Sequence, residues 1–192
     1  MKNSKIETIK KWHMLLMIIL IVFNLFCLIN SFFIKDKMAY YLLAALVYAS
    51  QLAALIAGYI HLRSGYQKTK ADYYKAFLLL TALSYIFAMI YQVLTNGFDI
   101  AVVFRIVYIA ILFVLVFAKD VGEKNTWLLF YILLASDQIA LILRLIDILP
   151  ASRPVNTNIA LIIMVVTTRV LLGSIGLSIY GKYADKQNRG TN

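Results

Sequence analysis

The residues able to do chemistry crowd into "LLASDQIALILRLIDILP" (133–150), which sets Ser136, Asp137, Arg144 and Asp147 in a run otherwise apolar enough for a bilayer. Arg105, Arg169, Gln51 and Asn24 interrupt other apolar runs in the same way. A buried carboxylate can serve as a general acid or base, and arginine grips a phosphate through a planar fork of donors. Together these types suggest a polar pocket for a headgroup, ion or proton. Asp137 and Ser136 are its candidate catalytic residues. Arg169, Arg144, Asp147, Arg105, Gln51 and Asn24 are its candidate binding residues.

Other chemistries lack their residues. The sequence has no HExxH, no Cys/His cluster, no phosphate-cradling glycine loop and no GxSxG. A zinc protease, a kinase and an ordinary serine hydrolase are therefore excluded, and neither a cofactor nor a metal is expected. The single cysteine, Cys27, cannot form an internal disulfide and reads as an apolar packing residue. A net charge of +10 raises the question of nucleic acid, but the basic residues lie between apolar runs instead of forming a stripe, so no nucleic-acid partner is expected.

The elements that must position these groups are membrane spans. Of the 192 residues, 62% are hydrophobic and 15% charged, too little polar material to coat a soluble domain. Six runs are long enough to cross the hydrocarbon core, at 12–34, 38–62, 76–94, 101–118, 126–149 and 159–183. Lipid offers no partner to an open strand edge, so the expected fold is an all-α, six-span bundle forming one membrane domain. Charged or turn-forming segments separate the runs, including "TNGFD" and the proline-bounded "PASRPVNTN".

Basic residues fall 13 on one side of these spans and 3 on the other, with Arg105, Arg144 and Arg169 inside them. The rule that basic loops stay inside predicts both termini in the cytoplasm and a place in the cytoplasmic (inner) cell membrane. Trp12, Tyr73, Tyr74 and Trp127 lie where an interfacial aromatic belt would, and His13 and His61 read as anchors at the same boundary. In the second span, Ala45, Ala49, Ala53 and Ala57 recur every four residues. Small residues at that spacing admit close helix packing, either inside the chain or against a partner helix.

Depth sharpens the pattern. At 1.5 Å per residue, Asp137 lies roughly 16 Å along span five and Arg169 roughly 15 Å along span six. The two share a level near the bilayer midplane, and Asn24, Gln51, Thr167 and Thr168 fall close to it. Arg105, Arg144, Asp147 and Asp99 form a second layer toward the outer face. An isolated charge at a helix centre costs roughly 2.5–3.5 kcal/mol, so Asp137 and Arg169 are expected to pair.

The segment "RIVYIAILFVLVFA", a short charged loop and "TWLLFYILLASDQIAL" resemble the closing part of the lysoplasmalogenase-like family of membrane proteins. Tyr108, Ser136, Asp137 and Ala140 occupy matching places. The resemblance covers roughly residues 100–180 and implies hydrolysis of a lysolipid vinyl ether with Asp137 at work. The family usually has about eight spans. Its earlier Gly-Asp pair is absent here, with Gln51 the nearest polar residue, and Met89 stands where a histidine is usual.

Three function classes fit these residues. One is a lipid-active hydrolase whose partners are membrane lipids. Another is a transporter, or its substrate-binding subunit, using the cluster as a solute or proton site. The last is a structural subunit whose charges only hold helices together.

Overall fold

The computed structural model describes residues 2–33, 38–64, 71–117, 121–148 and 155–190. Six helices account for nearly all of them: α1 (Lys2–Ser31), α2 (Met38–Ser64), α3 (Ala71–Asn96), α4 (Ile100–Phe117), α5 (Glu123–Ile148) and α6 (Val155–Gly190). No strand occurs among the described residues. Each helix contains a stretch long and apolar enough to cross a membrane, so the chain is an integral membrane protein of six helices.

Two helices overrun the expected spans the most. α1 starts ten residues before Trp12, and α6 continues to Gly190. Hydropathy marks only the part in lipid. Lysine and glutamate are good helix formers in water, and Glu7 and Lys11 stand four apart in the extra turns of α1.

The turn between α3 and α4 shows how local sequence aims a helix. Gly97, with φ 82°, sits in the left-handed region after α3, and its amide reaches back to the Val93 carbonyl at 3.0 Å. Asp99 then caps α4, its Oδ1 accepting the Val102 amide at 2.9 Å. Its Oδ2 accepts from Gln92 Nε2 of α3 at 2.7 Å. This capped start sets the rotation of α4, and with it the direction of Arg105.

The helices close into a ring in chain order, with α2 and α6 also meeting across it. α6 is the most enclosed, with 44% of its apolar window buried against 39% for α2 and 22% for α1. Span two is therefore central, as its small residues suggest, but it shares that place with α6. Ala45 and Ala57 are buried within the chain, while Ala49 and Ala53 are half-buried. Gly58 lies on the adjoining face: a Cβ there would lie 2.9 Å from Met17 of α1 and 3.0 Å from Phe77 of α3. Close packing inside the chain thus uses much of the small-residue surface.

One seam is loose. α5 packs closely on α4 but only sparsely on α6. A tie at one end joins them, where Tyr183 Oη and Thr126 Oγ1 are 2.7 Å apart. Farther along α5 the Asp137–Arg169 pair bridges the gap.

Candidate functional site: an intramembrane polar cavity

A cavity of about 50 Å³ opens beside that bridge. Its walls come from five helices: Gln51 of α2, Ser84 and Tyr85 of α3, Arg105 and Tyr108 of α4, Ser136 and Asp137 of α5, and Thr168 and Arg169 of α6. Apolar groups such as Phe104, Leu141 and Met164 complete the lining. One water takes up roughly 10–15 Å³ of such a cavity, so there is room for a small anionic group but not for a whole lipid.

Asp137 is the hub. Its Oδ1 accepts from the Tyr85 hydroxyl at 2.9 Å, and its Oδ2 accepts from Arg169 Nη1. Three helices, α3, α5 and α6, therefore meet at one carboxylate. Asp137 is buried, whereas the Arg169 side chain keeps 26% exposure at the cavity's edge. The Tyr85 ring stacks on Tyr108 at 3.9 Å between centroids and 14° between planes, which holds its hydroxyl on the carboxylate. The pairing expected from equal depth is present, and it is the only ion pair among the described residues.

The other polar groups divide into two kinds. Ser84, Ser136 and Thr168 each donate to a carbonyl of their own helix, those of Thr81, Leu133 and Met164, at 2.8–2.9 Å. Such back-bonding spends the hydroxyl proton locally and leaves only acceptor capacity toward the cavity. Gln51, Arg105 and Tyr108 are the second kind. They are at least nine-tenths buried, and Gln51 Oε1, Arg105 Nη1 and the Tyr108 hydroxyl make no hydrogen bond within the protein. Native proteins pair nearly all such buried groups. The lining holds two arginines and one carboxylate. With Arg169 committed to Asp137, Arg105 has no ion-pair partner among the described residues.

Of the eight residues expected to form a site, Asp137, Ser136, Arg169, Arg105 and Gln51 come together around this cavity. Asn24 goes elsewhere. It lies on the seam between α1 and α6, its Nδ2 donating to Thr167 Oγ1 and to the Leu20 carbonyl at 2.8 Å each. Arg144 and Asp147 fall on α5, and their side chains lie outside the described residues.

Two features escape the sequence reading. Tyr85 is the direct partner of Asp137, and its signal is a tyrosine near the middle of an apolar span instead of at an interface. A hydroxyl at that depth must find a partner in the protein. His13 also departs from the anchor expectation. It is half-buried and turns inward, with Nε2 at 2.9 Å from both the Val170 carbonyl and Ser174 Oγ. Gly173 makes room for it, since a Cβ there would lie 2.6 Å from His13 Cε1. His61 is likewise buried, 5.2 Å from the Tyr74 ring.

No protein-family model, curated protein or solved structure matches this chain.

Proposed function

We propose that this integral membrane protein admits the phosphate headgroup of a membrane lipid into the cavity and hydrolyses the lipid there, with Asp137 as the acid/base residue. The observation that carries the reading is Arg105: a buried cation with an unsatisfied donor beside a cavity that also contains a carboxylate. A buried charge without a partner is costly, and a phosphate oxygen would satisfy it by a charge-assisted hydrogen bond. The loose seam between α5 and α6 gives a lipid tail a lateral way out, so only the headgroup and the adjoining bond to be cut need to reach Asp137.

Asp137 accepts on both oxygens, so to act it first takes up a proton; as an acid it gives that proton to the vinyl carbon β to the ether oxygen, and as a base it then takes one from the water that adds to the α-carbon. Arg169 and Tyr85 position it. The resemblance to lysoplasmalogenase-like proteins suggests the bond: a lysolipid vinyl ether. One water is consumed. Its oxygen ends in the released aldehyde, one proton goes to the freed alcohol, and the other goes to the former vinyl carbon.

The excess of basic residues on one side supports a cytoplasmic-membrane protein with both termini inside. The test uses purified full-length chain in nanodiscs supplied with a lysoplasmalogen, reading aldehyde release. Wild type is expected to release aldehyde and Asp137→Asn to lose at least a hundredfold in rate. Equal rates for the two proteins would remove the hydrolase assignment.

A specific observation favours one other reading. Asp137 ties three helices together, which is what a purely structural ion pair would do. Replacing both Asp137 and Arg169 by leucine separates the two. A structural pair tolerates the double change, whereas a site loses its activity.

A further inference from the structure

Arg105 accounts for one of three unsatisfied groups around the cavity. Gln51 Oε1 is an acceptor, and a phosphate oxygen has no hydrogen to offer it. From this we infer that the ligand presents, beside its anionic group, a hydrogen-bond donor: a hydroxyl or an ammonium N–H within a few bonds of the phosphate. The inference rests on the headgroup reading above and narrows it to glycerol-type headgroups and amine headgroups that keep an N–H, against those whose nitrogen carries no hydrogen.

The placement supports this division of labour. Gln51 reaches the cavity from α2 and Arg105 from α4, so the two contact a ligand from different helices. Tyr108 stands on α4 three residues after Arg105, about one helical turn along, and its hydroxyl is the third unsatisfied group. It can donate to the anion or accept from the ligand's donor. The nearby hydroxyls of Ser84, Ser136 and Thr168 have spent their protons on their own helices, so they also present acceptors. The wall thus sets one cation outside the ion pair beside a surplus of acceptors, and a small group carrying both a negative oxygen and an N–H or O–H complements it. A site with an unpaired buried acceptor rejects a ligand lacking the matching donor more strongly than steric fit alone would.

The test is native mass spectrometry of the full-length chain released from nanodiscs made of phosphatidylethanolamine, its N-methyl and N,N-dimethyl forms, and phosphatidylcholine in equal amounts. These lipids keep one phosphate and lose donors one at a time. Retention is expected to hold through the dimethyl form and to fall about tenfold at the last methyl, where the final N–H disappears. Phosphatidylglycerol is expected to be retained like phosphatidylethanolamine. Gln51→Leu should flatten the series. Because the wild-type series stands alone, the inference is decided even where that variant fails to fold.

Equal retention of phosphatidylcholine, or an even decline with every methyl, would overturn the donor requirement while leaving the headgroup reading intact. Soluble phosphoethanolamine and phosphocholine form the second arm. If no lipid is retained but phosphoethanolamine alone raises the melting temperature, the ligand class stands, its source is a free solute, and the lipid reading falls. If neither lipid nor solute binds, both fall together.

Discussion

Two polar regions lie on different sides of α6, and Thr167 of one is at nearly the depth of Arg169 in the other. Thr167 and Arg169 are two residues apart, about 200° around the helix, so one faces α1 and the other α5. On the α1 side His13 meets Val170 and Ser174, and Asn24 meets Thr167. Gly173 lets the His13 ring approach, and α1 and α6 pack against each other. On the α5 side the helices part, and three buried polar groups from α2 and α4 remain unsatisfied around a cavity. Depth and polarity alone therefore do not mark a site in a membrane bundle. What distinguishes glue from a site is whether partners are supplied from within the chain. Among the described residues of the α1 seam, only Asn24 Oδ1 goes unmatched.

The largest effect is expected at the ion pair. Arg169→Leu leaves the Asp137 carboxylate in the bundle with Tyr85 as its one remaining partner, at an expected cost of about 3 kcal/mol. Reduced accumulation and a lower melting temperature in detergent would show it. The double change with Asp137→Leu should recover most of that loss, and a double mutant no better than the single would disprove a direct coupling.

Next in size is Gly173→Ala. The added methyl drives into His13, and overpacking of this kind costs about 1–3 kcal/mol. Thermal unfolding should report the loss while lipid retention per folded molecule stays at the wild-type level. An effect on retention would mean that the two sides of α6 communicate.

Tyr85→Phe removes the hydroxyl on Asp137 but keeps the stack on Tyr108. We expect a loss of about 1 kcal/mol in stability and a larger proportional loss in aldehyde release. Equal small effects on both would make Tyr85 a structural partner only. The smallest change is Thr167→Val, which removes one inter-helix hydrogen bond worth about 0.6 kcal/mol in a membrane bundle. Melting temperature is its readout, and no change in retention is expected.

Much of this contrast was legible in the sequence. Hydropathy located six spans, because only long apolar helices satisfy their backbones in lipid. Counting residues along spans five and six put Asp137 and Arg169 at one level, and the structure pairs them. The same counting grouped Asn24 with them, wrongly as to place, because depth says nothing about which side of the bundle a residue faces. That angle is set by packing and by turns such as the Gly97–Asp99 cap. Tyr85 was legible only as an aromatic far from an interface, and His13 looked like an anchor because its docking against Gly173 is a long-range fit. Unsatisfied groups such as Gln51 Oε1 cannot be read from sequence at all, since being unmatched depends on every neighbour.

The most direct measurement is the phospholipid bound per folded protein, by native mass spectrometry, for wild type, Arg105→Gln and Asn24→Leu in parallel. Both variants change a buried polar residue, one at the cavity and one on the α1 seam. Arg105→Gln is expected to lose the bound phospholipid at least tenfold while Asn24→Leu keeps it, whatever either does to the melting temperature. Retention that persists in Arg105→Gln, or that falls in step with stability in both, would contradict a headgroup site between α4, α5 and α6.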